Sequence, residues 1–219
     1  MNRYSLLIAV ICLIFFIRCG PEVKFKSPQP TNKSNLNTIP ADYKGTYKNI
    51  EDSSVLVIND KSIFKIWKSN QQIQLDSIIK DLKFDVRRDT LIYLNDEFKI
   101  NVKLVEPNNK VMVSAEERLF QISDSCLVRS YKDFCFLNYK TKDGLWLVKV
   151  LRIKGVFMEF TDLVSSKEVE LADEFTRVTA VKDTADHNVQ EYQLSPTRRE
   201  LRRLLRHKKF EKEFKKIEK

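Results

Sequence analysis

Glycine is scarce, with 4 residues in 219, at positions 20, 45, 144 and 155. A loop that cradles phosphate needs several glycines close together, so the P-loop and dinucleotide-binding fingerprints are excluded. Histidine is scarcer still, with His187 and His207 alone. A hydrolase triad or a histidine-rich zinc site would have to be built almost without it, and no H-E-x-x-H, G-x-S-x-G or C-x-x-C occurs. Long apolar runs are also missing. The longest charge-free hydrophobic stretch, residues 4–17, covers 14 positions, against the ~20 that a membrane-spanning helix requires.

Charge is plentiful but uneven. The chain carries a formal +9. Residues 195–219 hold eleven Lys and Arg against four Glu, a net +7, and residues 1–18 contribute Arg3 and Arg18. The remainder, 19–194, is therefore close to neutral. The high pI belongs to the C-terminal segment, and no nucleic-acid partner is expected from it.

The first 19 residues follow the order of an export signal: a short basic start with Arg3, a hydrophobic stretch, then Arg18 and Cys19. "FFIRCG" at 15–20 resembles a bacterial lipoprotein signal, in which a dedicated peptidase cuts before a Cys that has received a diacylglyceryl group. Arg18 stands where that family normally has Gly, Ala or Ser. The resemblance implies that residues 1–18 are a signal peptide and that Cys19 is the lipidated first residue of the mature protein. It places the protein in the cell envelope, in the outer membrane by default because Gly20 is not Asp, with its body in the periplasm or at the cell surface. The layout is similar to small envelope lipoproteins of Gram-negative bacteria, especially Bacteroidota, through "IPADYKGTY" (39–47), "FCFLNY" (134–139) and "SPTRRELRRLL" (195–205). No particular activity follows from that likeness.

Residues 19–40 contain four of the six prolines and little apolar content, which predicts a flexible tether. Residues 41–194 read as one β-rich domain. In "EFKINVKL" (97–104), Phe98, Ile100, Val102 and Leu104 alternate with polar residues, the pattern of a strand with one wet face. Similar runs recur at 54–58, 62–67, 90–94, 110–115, 118–123, 126–131, 134–139, 145–153 and 156–160, separated by Asn, Asp, Gly and Lys clusters. The expected fold is mainly β (α+β): an antiparallel meander forming a curved sheet, sandwich or barrel. A helix is expected over 165–175, opened by Ser165 and Glu168 in capping-box spacing. Residues 71–84 fit helix or strand equally, and 182–195 read as a polar linker.

The basic tail, 195–219, predicts a helix capped by Thr197 and Glu200. Leu201, Leu204 and Leu205 form one stripe; Phe210, Phe214 and Ile217 fall on the opposite side, so a break is expected near 207–209. Beyond it the chain would form a second short helix or a docked tail. Arg198, Arg199, Arg202, Arg203, Arg206, Lys208 and Lys209 are the candidate contacts for anionic lipid, lipopolysaccharide or a cell-wall polymer. Solvated cations on a packed helix are the plainer reading.

Few other residues suggest chemistry. Cys126 and Cys135 lie on runs joined by a short turn and would form a disulfide across a hairpin, or remain buried thiols. Asp183, Asp186 and His187 lack further nearby ligands, and Glu116 and Glu117 point to opposite faces of a strand. No catalytic, cofactor or metal site is expected. The chain reads as a non-enzymatic binding or assembly component acting on an envelope protein or surface. The alternative is a lipocalin-like β-barrel for an apolar or sugar-like molecule, with Trp67 or Trp146 in its cavity.

Overall fold

The computed structural model describes residues 21–68, 73–74, 89–93, 98–105, 110–182, 189–210 and 213–217. Side chains are described for 21–67 and from 114 onward within those ranges. Fifteen strands among them form one large mixed sheet that does not close. They are β1 (Glu22–Phe25), β2 (Gly45–Asn49), β3 (Val55–Ile58), β4 (Ser62–Lys68), β5 (Ile73–Gln74), β6 (Asp89–Tyr93), β7 (Phe98–Val105) and β8 (Lys110–Gln121). After them come β9 (Cys126–Tyr131), β10 (Phe134–Lys140), β11 (Trp146–Lys154), β12 (Phe157–Asp162), β13 (Val178–Lys182), β14 (Val189–Leu194) and β15 (Glu213–Lys216). Two α-helices accompany them, α1 (Val169–Asp173) and α2 (Arg198–His207). The mainly-β expectation is met, and pairing is antiparallel except between β1 and β14.

Two apolar clusters lie on opposite faces of β9–β12. In β10, Cys135, Phe136, Leu137 and Asn138 are all buried, so both faces are covered. That is why "FCFLN" reads as a continuous run rather than an alternation. Phe136, Trp146, Val148 and Val150 face one cluster, roofed by Val169 and Ala172 of α1 and by Leu201, Leu204 and Leu205 of α2. Cys135, Leu137, Leu151, Met158 and Phe160 face the other, closed by Tyr47, Leu56, Ile58, Ile63 and Phe120 from the far arm of the sheet. Burying a large apolar side chain contributes roughly 1.5–3 kcal/mol, so these two layers dominate the stability. The scarce glycine is used where a turn demands it: Gly155, at φ +62°, opens the two-residue connection from β11 to β12.

Three segments differ from the expectations. The stretch 21–40 is no tether. Its β1 pairs in parallel with β14 and meets β11 where Phe25 lies opposite Trp146. Phe25, Gln29 and Ile39 are fully buried. Proline there shapes a path over the body rather than keeping the chain extended. Of the expected linker 182–195, residues 189–194 are a strand instead, because β14 fills the place between β13 and β1; 183–188 lie outside the described residues.

The tail differs most. α2 ends at His207, close to the expected break, and its leucines are buried as the periodicity implied. The second half is a strand rather than a helix. β15 inserts between β12 and β2 and buries Phe214 completely, while Ile217 stays exposed. The connecting Phe210 stacks against Phe134 at 6.4 Å, and the Arg152 guanidinium lies 4.2 Å from the Phe210 ring while pairing with buried Glu159. The expected helix at 165–175 is short. A 3-10 turn at Ser166–Glu168 leads into α1, and the Glu168 carboxylate accepts from both the Ser165 backbone N–H and its hydroxyl at 2.9 Å. Of 71–84 only β5 is described, as a strand, and the rest lies outside the described residues.

Candidate anion-facing surface

The sequence makes α2 a helix with one bare face. Its capping box is formed: the Glu200 carboxylate accepts from the Thr197 N–H at 2.8 Å, and the Glu200 N–H donates to the Thr197 hydroxyl at 3.4 Å. Hydrogen bonds to the carboxylate from Thr197, with one from Thr176 at 3.3 Å, lower the Glu200 carboxyl below the ordinary range. With three leucines committed to the core, Arg198, Arg199, Arg202, Arg203 and Arg206 all project outward. At 100° per residue they span about 140° of the helix surface, over a length of about 12 Å. Among the described residues no carboxylate forms an ion pair with any of the five.

Two of the five converge on Tyr131, at the end of β9. The Tyr131 hydroxyl accepts from Arg202 Nε at 2.6 Å, and the Arg198 guanidinium lies 5.5 Å from the ring centroid. Lys132 adds its ammonium at 5.9 Å. Desolvation works to raise the phenol pKa, but the hydrogen bonds and charges of Arg202 and Arg198 outweigh it and leave the group more acidic than an ordinary tyrosine. Beside this pair lies a cleft of about 120 Å³ lined by Pro30, Thr31, Asn32, Lys33, Tyr131, Arg198 and Leu201.

The loop that forms the other wall is held from below. Arg129 Nη1 donates to the carbonyls of Pro28 and Pro30 at 2.7 and 2.9 Å, and its Nε donates to Asn35 at 2.8 Å. Asn138 completes the clamp. Its side-chain oxygen accepts from the Gln29 N–H at 2.6 Å and its amide donates to the Gln29 carbonyl at 2.9 Å. The cleft is thus walled by three segments far apart in the sequence: the loop at 30–33, Tyr131, and Arg198 with Leu201 of α2.

Not every expected contact survives. Lys209 is exposed with the arginines, but Lys208 turns inward to Glu168 at 2.5 Å, its side chain only 3% accessible. That position falls at 280° from Arg198 on the helix, inside the leucine face, so its cation neutralises a carboxylate rather than meeting an outside surface. His207 stacks on Phe175 at 4.8 Å. Trp146 is core, and Trp67 carries Lys65 over its ring at 4.6 Å. Glu116 and Glu117 lie opposite Ile66 and Lys65, on alternate faces of β8. Cys19 and the Asp183, Asp186 and His187 group lie outside the described residues. Tyr131, Thr31, Asn32 and Lys33 were not anticipated. Only the Pro-rich composition of 20–40 marked that stretch, and composition does not say what it packs against.

The expected disulfide is not formed: both cysteines are free. The β9–β10 register places Cys135 opposite Ser130, and Cys126 opposite Tyr139. The two cysteines are four positions out of step, or about 13 Å along the strands, whereas a disulfide needs Cα atoms within ~7 Å. Burial pushes the Cys135 thiol up to about 12. A thiol reagent should therefore label half-buried Cys126 in the native body and reach Cys135 only after denaturation. Recovery of a 126–135 linked peptide from non-reduced protein would contradict this register.

No known protein family, curated protein or solved structure matches the chain. The class defined by fold and site is a mainly-β protein with an arginine-faced helix on its surface. No helix among the described residues is long and apolar enough to cross a membrane.

Proposed function

We propose that this chain is a lipid-anchored cell-envelope protein, a non-enzymatic binding or assembly component that presents α2 to an anionic surface. The observation that carries the reading is the arginine face itself: five guanidiniums over about 12 Å, without an ion-pair partner among the described residues. Each cation near an anionic surface contributes ~1 kcal/mol. A second attachment then adds to that of an acylated Cys19.

The fold sharpens the anchoring idea. β1 begins at Glu22, three residues after Cys19. At ~3.6 Å per residue the chain between them reaches at most ~11 Å. A body attached this closely rides directly on the bilayer surface instead of swinging on a leash. The outer membrane is the favoured location, by the same analogy that assigns Cys19. The small-molecule alternative would need free space inside the curled sheet. That interior is occupied by Ile39, Tyr47, Leu56, Phe120, Leu137, Leu151, Met158 and Phe214, which favours the surface-binding reading.

Two measurements test this. The full gene expressed in a Gram-negative host should yield an N-terminal peptide beginning at acylated Cys19, absent in Cys19→Ala; an intact Met1 would reject the anchor. Separately, the chain from Gly20 onward retains every described element. Its sedimentation with acidic vesicles should fall with salt, and fall roughly hundredfold on combined Arg199→Gln, Arg203→Gln and Arg206→Gln. Equal binding by this triple variant would reject the arginine face.

A further inference from the structure

We infer that the cleft beside Tyr131 is a binding site for a single phosphate group, with Arg198, Arg202, Lys33 and the Tyr131 hydroxyl as its donors. The inference deepens the reading of α2 as an anion-facing helix and rests on it, but it concerns one enclosed position rather than a diffuse charged face.

Convergence is the first argument. Arg198 and Arg202 are one helical turn apart, and both are drawn to the same phenol. Two guanidiniums side by side repel each other. They share one neutral hydroxyl, and no carboxylate among the described residues pairs with either. An anion between them would supply the missing counter-charge. Tyr131 accepts from Arg202 through its oxygen, which leaves the phenolic proton free to be donated outward.

Shape and charge decide the class of anion. A volume of about 120 Å³ admits a phosphate with a little of its substituent, but not a folded peptide or an intact lipid. Lys33 closes the wall opposite the helix, so two cations line one small space, and Arg202 stands behind the Tyr131 hydroxyl that it contacts. Two lining cations backed by a third suit a doubly charged phosphomonoester better than a singly charged carboxylate. Arginine also matches phosphate oxygens with paired N–H donors. The loop wall is preformed, because Arg129 and Asn138 hold it through the backbone of Pro28, Gln29 and Pro30 and the side chain of Asn35, leaving Thr31, Asn32 and Lys33 unused. A fixed wall loses little freedom on binding.

A phosphate could reach the cleft as a soluble ion or on a lipid headgroup, and the experiment separates the two. The full acylated chain in nonionic detergent is titrated with inorganic phosphate in one arm and short-chain dihexanoyl phosphatidic acid in the other. One-to-one saturable binding is expected, weakened about tenfold by Arg202→Gln, Tyr131→Phe or Lys33→Gln, and unchanged by Arg177→Gln, which alters an exposed cation outside the arginine face. Lys33 lies on an exposed loop, so its variant tests the site without threatening the fold. Tighter binding of the lipid than of phosphate by tenfold assigns the headgroup; equal or weaker binding assigns the soluble ion. Non-saturable binding in both arms, or equal weakening by Arg177→Gln, overturns the site. Unchanged vesicle binding in the triple arginine variant, with saturable phosphate binding intact, would count against the surface reading alone.

Discussion

Replacing Phe214 with alanine is expected to lower the unfolding free energy by about 3–5 kcal/mol, a large share of the 5–15 kcal/mol that holds a domain folded. Phe214 is 1% exposed and lies opposite Met158 of β12 and Asn49 of β2. Its strand is the connection between two arms of the sheet. On one side run β12, β11, β1, β14 and β13; on the other run β2, β3, β4, β8, β7 and β6. Backbone bonds from Ile50 to Glu213, Lys216 to Val156 and Ile217 to Thr46 fasten both edges. Removing residues 210–219 should therefore abolish cooperative unfolding of the intact body rather than trim a surface appendage. Urea denaturation followed by tryptophan fluorescence would decide, since Trp146 and Trp67 report from different arms. A change below ~0.5 kcal/mol, the level of an ordinary surface substitution, would mean that β15 is not part of the sheet.

The second large effect is expected at Asn138, which is fully buried in β10. Its side chain satisfies both the N–H and the carbonyl of Gln29 and approaches the Leu127 carbonyl at 3.3 Å. Asn138→Ala leaves two buried backbone groups without partners. Each unsatisfied group costs about 1–3 kcal/mol, so a loss of about 3–4 kcal/mol is expected. Asn138→Asp keeps the acceptor and loses the donor, and should also bury an uncompensated charge, so it should fare no better. The damage should be local first. Limited proteolysis should cut within 26–38 in the alanine variant while the β10–β11 core remains protected, and phosphate binding at the Tyr131 cleft should weaken with it. Wild-type resistance of that segment would show that other contacts, such as Arg129, suffice to hold it.

The two predictions share a cause. Both concern termini that composition assigns to the outside of the protein. "GPEVKFKSPQPTNKSNLNTIP" (20–40) looks like a leash because it is rich in proline and polar residues. Buried Val23, Phe25, Gln29 and Ile39, with the pairing of β1, make it part of the body. "FEKEFKKIEK" (210–219) looks like a charged tail because Phe214 is the single residue of β15 that points inward. A strand of four residues offers too few positions for a period to show. Its pairing is decided by neighbours from β2 and β12, about 165 and 56 positions away.

Local chemistry was more legible. The alternation in 97–104 and the apolar runs at 126–131, 134–139 and 145–153 correspond to β7, β9, β10 and β11. The runs at 110–115 and 118–123 merge into the single long β8, whose partner β4 shifts register between Ile63 and Phe64. Capping boxes at Ser165 and Thr197 formed as spaced, because a cap joins groups three residues apart and needs nothing from the rest of the chain. The disulfide expectation failed for the complementary reason. Whether two cysteines meet across a hairpin depends on register, and the Lys132 turn sets a register that separates them.

Sequence by itself determined the β-rich class, the positions of the hairpin strands, the limits of α2, its leucine and arginine faces, and the absence of glycine- and histidine-based motifs. These depend on periodicity and on contacts within a few residues. Tertiary structure alone decided that both ends of the body are built into one sheet, that Lys208 points inward, and that Tyr131 contacts Arg202 and lines a cleft with Arg198 and Lys33. Each of those facts joins segments tens to more than a hundred residues apart. Such a contact is selected by the packing and hydrogen bonding of the whole body, which no local pattern encodes.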